Sequence, residues 1–187
     1  LTDQPRKLRA LGQDFVVFRD SQGQARCLAN TCTHRGGSLA NGKIKGDCIQ
    51  CPYHGWQFNG EGECQKIPSL GSKASIPGRT RIDAYPVDER YGLVFAFLGD
   101  LPEAERPPIL AVKEWGQEGW RTTVQDFHLN GYYERSIENG IDPAHNEYVH
   151  DTHGFSGERE EEYKIGAMRV EENAPWGRGF WHTFQAP

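Results

Sequence analysis

The sequence has no long apolar run and only a small excess of charge. Its 187 residues are 36% hydrophobic and 25% charged, and no apolar segment approaches the ~20 residues that a membrane-spanning helix needs. No charged-then-apolar segment opens the chain, so we expect no secretory signal. The formal net charge of −5 argues against a nucleic-acid partner. Length and composition indicate a globular chain with one sizeable domain, or one small domain and part of another.

Cysteine is scarce, and the five residues present are an odd number. Cys32 and Cys51 each lie close to a histidine, which leaves Cys27, Cys48 and Cys64 without an evident chemical role. An odd remainder favours a reducing compartment, in which free thiols pack as small apolar side chains. We therefore expect a cytoplasmic protein with three structural thiols.

The most informative pattern is Cys32-x-His34, followed after residues 35–50 by Cys51-x-x-His54. Each half offers one thiolate and one imidazole, a mixture that can hold a redox metal centre. A four-ligand zinc site is one alternative and chance is another, but zinc fingers usually pair two cysteines in one half and two histidines in the other. The spacing closely resembles that of the Rieske family, in which two cysteines ligate one iron of a [2Fe–2S] cluster and two histidines ligate the other. The resemblance implies that these four residues are the cluster ligands.

Residues beside the four ligands resemble one branch of that family. Respiratory-type members carry a disulfide between the two ligand loops, and this chain has Gly37 and Tyr53 at the matching places. Those members also place hydroxyl groups near the cluster, where this chain has Trp56 and Phe58. Fewer hydroxyl donors stabilise the reduced cluster less, so we expect a low reduction potential, as in the oxygenase branch.

Short apolar stretches punctuated by Gly, Pro and Asn predict an all-β domain over residues 1–105, an antiparallel sandwich with cluster-binding loops. One of its strands is predicted over 43–50. A charged, proline-rich linker marks the boundary, and residues 106–187 predict a mixed α+β part with a strand over 120–129 and a helix over 130–139. In the family this part corresponds to the start of a helix-grip catalytic domain, which the chain is too short to complete.

A second pattern contains Asn139, Asp142, His145 and His150. Two histidines and a carboxylate with open coordination positions form the facial triad of non-haem Fe(II) oxygenases. On local grounds, Asp142 before Pro143 is also a good helix N-cap, and an isolated histidine is more often structural than a ligand. An ideal helix separates positions 145 and 150 by about 140°, so both side chains reach one metal only across a bulge or a helix break.

The second pattern resembles the mononuclear-iron motif of Rieske non-haem iron oxygenases. The resemblance implies that His145 and His150 ligate iron, and that Asp142 is the catalytic link from the Rieske histidine of a neighbouring subunit to His145. The third ligand of the family is an aspartate far downstream, and no carboxylate after His150 has a matching position in this chain. Three other histidines stay open as ligand, pocket or structural residues: His128, His153 and His182.

The two motifs together imply an oxygenase component, specifically the alpha subunit. By resemblance, it uses electrons from a reductase, with or without a ferredoxin, and O₂ to hydroxylate or demethylate an organic, aromatic substrate. A link between subunits implies a ring, most simply a homotrimer. The alternatives are a Rieske ferredoxin-like electron carrier and an inactive fragment of an oxygenase.

Overall fold

The computed structural model describes residues 3–126, 128–150, 161, 164–174, 177–181 and 184–185. The chain divides into two compact units, residues 1–106 and residues 107–187. Each unit has its own set of elements, so each is described by itself.

Short strands dominate both units. Within the described residues they are, in chain order, β1 (Arg6–Ala10), β2 (Gln13–Arg19), β3 (Ala25–Ala29), β4 (Lys43–Lys45), β5 (Cys48–Gln50), β6 (Gln57–Phe58), β7 (Cys64–Lys66), β8 (Ala84–Tyr85), β9 (Val87–Arg90), β10 (Leu93–Ala96), β11 (Lys164–Ile165), β12 (Arg169–Ala174), β13 (Gly177–Trp181) and β14 (Phe184–Gln185). Two helices, α1 (Tyr133–Ile141) and α2 (Asn146–Val149), lie in the second unit.

The first unit is built from two antiparallel four-stranded sheets and a hairpin. One sheet has the order β1-β2-β3-β8, the other has the order β4-β5-β6-β7, and β9 pairs with β10. This arrangement confirms the all-β class predicted from the spacing of short apolar stretches.

Strand β2 is buried on both faces, which makes it the centre of the first unit. Because side chains alternate along a strand, Val16 and Phe18 point to one side and Phe15 and Val17 point to the other. The first pair joins the core that also contains Leu28 and the inner face of the second sheet. The second pair packs on the other side of the strand, in a separate core that the β9–β10 hairpin covers.

The second sheet supplies the frame of the ligand loops. Ile44, Ile49, Phe58 and Cys64 are register partners across all four of its strands and face the shared core. The single strand predicted over 43–50 is wrong, because Gly46 has a left-handed φ of +60° and turns the chain into a hairpin between β4 and β5. The turn brings β5 back alongside β4, so that its end leads directly into the second ligand loop.

In the second unit, the helix predicted over 130–139 exists but begins later. Tyr132 is extended, with ψ of 135°, and α1 starts at Tyr133. Gly131 is a poor helix former, which explains why the helix begins only after this residue.

The strand predicted over 120–129 is wrong for the described residues of that range. The described residues of this segment make no ladder with another strand, and a strand does not form without a partner that pairs with its backbone. Strands β13 and β14 are separated by residues 182–183, which lie outside the described residues. No helix in the described part of the chain is long and apolar enough to cross a bilayer.

Candidate metal centres

Two loops with the same backbone geometry carry the first ligand pattern. In the first loop, Cys32 N–H donates to the carbonyl of Gly37 and the Cys32 carbonyl accepts from Gly36 N–H, both at 2.9 Å. In the second loop, Cys51 N–H donates to the carbonyl of Trp56 at 2.8 Å and the Cys51 carbonyl accepts from Gly55 N–H at 3.1 Å. The loops are therefore equivalent, residue for residue, from each cysteine to the fifth residue after it.

Glycine closes each loop for a conformational reason. Gly36 has φ of +71° and Gly55 has φ of +74°, in the left-handed region where a side chain is strained. Both glycines follow a ligand pair, where the backbone turns tightly.

The two sulfur atoms lie side by side in the core. Cys32 and Cys51 are each 2% exposed, and their thiols are within hydrogen-bonding reach of one another. Burial raises the pKa of the Cys32 thiol to about 11, while the backbone N–H groups of His34 and Arg35 point at its sulfur and act in the opposite direction. A buried thiolate pair with N–H donors is unstable alone but matches a metal cation, which deprotonates a coordinating thiol.

The two imidazoles lie together at the surface end of the same loops. The ring centroids of His34 and His54 are 4.6 Å apart, and the planes are inclined by 64°. His34 is half-buried and His54 is exposed. Partial burial is the main reason why the pKa of His34 is lowered, followed by the neighbouring His54 and Arg35.

The donor set fits a Rieske cluster. A buried sulfur pair and an outer imidazole pair correspond to the two irons of such a centre, one with two cysteines and one with two histidines. No group of three or more Cys, His, Asp or Glu side chains in the described part of the chain is arranged to hold a single metal ion.

The loops meet at Gly37. A Cβ atom on this glycine would lie 2.9 Å from Sγ of Cys51 and 3.4 Å from Cβ of Tyr53. The Gly37–Tyr53 pair thus faces across the loops where respiratory-type relatives have a bridge, and all five cysteines of this chain are free thiols. Cys27 and Cys64 are buried and Cys48 is half-buried, as expected for structural thiols.

The second pattern lies at the junction of α1 and α2. His145 immediately precedes α2 and His150 immediately follows it, so neither histidine lies inside the helix. Their ring centroids are 5.2 Å apart. A single helical turn with one histidine at each end therefore brings the two imidazoles together, which a regular helix through both positions would not do.

Asp142 stands between the two helices rather than at the start of α2. Its Oδ1 accepts from the backbone N–H of Ala144 at 2.8 Å, and its Oδ2 lies 3.8 Å from Nδ1 of His145. Nε2 of His145 lies 3.1 Å from the amide nitrogen of Asn139, and Nδ1 is buried without a hydrogen-bond partner in the described residues. The second pattern thus brings Asn139, Asp142, His145 and His150 into one cluster.

The remaining histidines do not join either cluster in what the structure describes. His128 is exposed. His153 and His182 lie outside the described residues, so their assignment stays open.

Comparison with known proteins defines the class of the first unit. Residues 1–86 match the family model of the Rieske [2Fe-2S] domain. The chain therefore contains a Rieske domain, as the cysteine and histidine spacing predicted.

Longer matches extend over most of the chain. The phenoxybenzoate dioxygenase subunit alpha of Ectopseudomonas oleovorans is 34% identical over 198 residues, which cover 99% of this chain and 48% of that protein. The chloroplastic protein TIC 55 of Pisum sativum is 32% identical over 183 residues, which cover 96% of this chain and 32% of that protein. The structure of NdmA from Pseudomonas putida CBB5 matches with a TM-score of 0.67 and 27% identity, over 79% of this chain and 44% of that chain.

The chain contains a Rieske domain and is similar, over most of its length, to part of the oxygenase components of Rieske oxygenases. Other relatives carry the names of monooxygenase and O-demethylase oxygenase subunits. The chain spans about a third to a half of the length of the curated relatives named above.

Sequence reasoning missed two features of these sites. In the sequence, Trp56 indicates only that a hydroxyl donor is absent near the cluster. In the structure, the centroid of its indole lies 4.4 Å from that of the His34 ring, with an interplanar angle of 3°. An aromatic residue directly after the left-handed glycine of a ligand loop was the available signal. The contact between Asn139 and His145 had only the i, i+6 spacing as a signal, which no regular helix brings together.

Proposed function

We propose that this chain is the electron-accepting part of an oxygenase that uses O₂ to hydroxylate or demethylate an organic, aromatic substrate. The observation that carries the proposal is the paired arrangement of four donors on two equivalent loops, with both sulfurs buried and both imidazoles near the surface. A carrier of electrons alone would need no second cluster of metal-binding residues. The names of the relatives, which include monooxygenases, dioxygenases and a demethylase, also favour the oxygenase over the carrier.

Cys32, His34, Cys51 and His54 would hold the [2Fe–2S] cluster, which supplies one-electron chemistry when it is bound. The backbone N–H groups of His34 and Arg35 would stabilise negative charge on the Cys32 sulfur. The core around the sulfurs excludes water, while the imidazole edges stay within reach of a partner. We expect a low reduction potential, because Trp56 and Phe58 stand where respiratory-type members have hydroxyl groups. The reduced cluster would therefore be stabilised by fewer hydrogen bonds.

His145 and His150 would be two ligands of a mononuclear Fe(II) in the start of a catalytic domain, residues 106–187. Nδ1 of His145 faces Asp142, whose carboxylate is half exposed and lies just beyond hydrogen-bonding distance. An exposed carboxylate beside a buried ring nitrogen suits a link that a histidine of a neighbouring subunit completes. Such a link requires more than one subunit, and we propose a homotrimer with the heterologous contacts of a closed ring.

An acidic electron donor would dock beside the cluster loops. The register places Lys43, Gln50, Gln57 and Lys66 in one row across the second sheet, directly next to the loop that contains Cys51. The row lies opposite the apolar inner row because side chains alternate between the two faces. Both lysines are exposed.

The acidic residues of the same sheet lie at its far end. Asp47 is in the β4–β5 turn, and Glu61 and Glu63 are in the β6–β7 turn. The end of the sheet beside the cluster is therefore positive in a chain with a net charge of −5. This distribution favours a reductase or ferredoxin with a negative docking face.

The cluster assignment is tested by iron content and electron paramagnetic resonance (EPR) after reconstitution with iron and sulfide. Two irons per chain and a Rieske-type EPR signal on reduction are expected for the cluster alone. Cys51→Ser should lose the visible absorption and the signal, whereas Cys48→Ser, which changes a half-buried thiol outside the loops, should keep both. A Cys51→Ser protein with the parental signal would show that the ligand assignment is wrong.

The role of Asp142 is tested in the full-length protein. Asp142→Asn should leave both iron centres assembled and nearly abolish substrate-dependent O₂ uptake, because the amide carries no charge to couple the two histidines. Asp126→Asn, an exposed aspartate outside the cluster, is the matched control. Parental turnover in Asp142→Asn would refute the proposed link.

We propose a cytoplasmic location from the free thiols Cys27, Cys48 and Cys64, which suit a reducing compartment. One relative is named as chloroplastic, so cell fractionation with an antibody against the chain is the direct test.

A further inference from the structure

The side chain of Trp56 bridges the two ligand loops. Its indole belongs to the second loop, yet it stacks on the imidazole of His34 in the first loop, with centroids 4.4 Å apart and planes within 3° of parallel. Two nearly parallel rings at this separation are stacked on each other, and aromatic pairs contribute about 0.5–1.5 kcal/mol beyond the area they bury.

The position of Trp56 in its loop gives the contact a structural logic. The carbonyls of Gly37 and Trp56 accept the equivalent cysteine N–H groups, so these two residues occupy the same place in the two loops. One loop has the smallest residue there and the other has the largest. The missing side chain of Gly37 leaves room for the sulfur of Cys51, and the large side chain of Trp56 covers the imidazole of the opposite loop.

Trp56 is also anchored on its other side. It is half-buried and packs against the core that contains Cys32, Cys51 and Phe58. The ring that touches His34 is therefore held by the same core that holds the sulfurs.

The other imidazole lacks an equivalent support. Besides the ring of His34, the aromatic neighbour of His54 is Tyr53, the residue directly before it, whose ring is tilted by 33° and is 62% exposed. His34 is thus stacked on a residue that is anchored in the core, while the second aromatic contact of His54 is with a solvent-facing ring of its own loop.

We propose that Trp56 is a positioning residue that fixes the ring plane of His34 and shields one face of that ring from water. The inference rests on the proposed cluster site and deepens it. Trp56 couples the two loops without a covalent bond, so the two imidazoles that would hold the outer iron differ, with His34 stacked on Trp56 and His54 accessible.

The test compares two replacements of similar bulk in the reconstituted protein. Trp56→Phe keeps a flat ring for stacking, whereas Trp56→Leu fills part of the volume without one. The readouts are the principal g-values and the imidazole-nitrogen couplings of the reduced cluster by EPR, and the rate of iron loss to a chelator. Trp120→Leu, at an exposed tryptophan of the second unit, is the control for loss of an indole.

We expect Trp56→Leu to change the EPR parameters and to lose iron roughly 2- to 12-fold faster, which is the stacking contribution expressed as a rate ratio. Trp56→Phe should restore the parental spectrum and most of the parental rate, and Trp120→Leu should match the parent. The absence of a cluster in Trp56→Leu alone would also support the proposal.

Three results would overturn it: a Trp56→Leu protein identical to the parent in both readouts, a Trp56→Phe protein as perturbed as Trp56→Leu, or no cluster in either variant. A parental protein that binds no cluster would instead refute the proposed function, so the two failures are distinguishable.

Discussion

Replacement of Gly37 by alanine adds one carbon where the two ligand loops meet. That carbon would lie 2.9 Å from Sγ of Cys51 and 3.4 Å from Cβ of Tyr53. Unstrained heavy-atom contacts begin at about 3.5 Å, so the sulfur has to move by about 0.6 Å or more. Metal–ligand distances tolerate deviations of only about 0.2 Å. We therefore expect Gly37→Ala to weaken cluster binding specifically.

Gly36→Ala is the matched control because it separates backbone strain from ligand displacement. A Cβ on Gly36 would meet no heavy atom within 4 Å, but its φ of +71° is strained for alanine. Left-handed backbone costs an L-residue about 1–2 kcal/mol. Gly36→Ala should therefore lower the free energy of unfolding without moving a sulfur, whereas Gly37 is outside the left-handed region and takes alanine without that strain.

The assay measures iron per chain and the rate at which a chelator bleaches the cluster, with urea denaturation of both proteins in parallel. An overpacking cost of about 1–3 kcal/mol corresponds to roughly 5- to 150-fold faster iron loss in Gly37→Ala. Gly36→Ala should keep a rate close to that of the parent. Parental iron content and bleaching rate in Gly37→Ala, or equal bleaching in both variants, would refute the reasoning.

Two further predictions concern charge. Lys43→Gln together with Lys66→Gln should slow reduction by the physiological donor several-fold at low ionic strength and have little effect at high salt, since screening removes attraction between exposed charges. Lys113→Gln is the control. Stopped-flow reduction rates that do not depend on salt would contradict docking of an acidic donor at these two lysines. Burial raises the pKa of Cys27 from its ordinary value of 9.0 to about 11, so its contribution to stability is fully present below pH 9 and is lost as pH rises to 11, by at most about 1.4 kcal/mol per pH unit. Cys27→Ala should flatten this alkaline loss in urea titrations, and an unchanged slope would show that other groups cause it.

The parts of the fold that the sequence predicted are those set by local pattern. Short apolar stretches separated by turn residues predicted the all-β class of the first unit, because a hairpin such as β2–β3 depends on neighbouring residues and a tight turn. The errors lie where pairing with a distant segment decides. Residues 120–129 are predicted as a strand but have no strand partner among the described residues, and Gly46 converts one predicted strand into two.

The ligands were predictable because coordination chemistry restricts them to a few residue types at short spacings. Their surroundings were not, since Trp56 reaches His34 and Gly37 admits Cys51 only through the approach of two separate loops. A loop-to-loop contact leaves no periodicity in a single sequence. At the second cluster, the spacing of His145 and His150 raised the question of a bulge, and the answer is that α2 is only one turn long.

The two ligand loops have equivalent backbones but carry their histidines at different positions, C-x-H in the first loop and C-x-x-H in the second. Both loops place the cysteine at the first position and a left-handed glycine at the fifth, so the two sulfurs enter the core in the same way. His34 is at the third position of its loop and His54 is at the fourth position of the other, which puts Tyr53 opposite His34 and Arg35 opposite His54 in the comparison. Identical spacing would present the two imidazoles symmetrically. The offset of one residue instead leaves His34 beneath the indole of Trp56 and His54 open at the surface, and this inequality follows from the sequence once the loops are known to be equivalent.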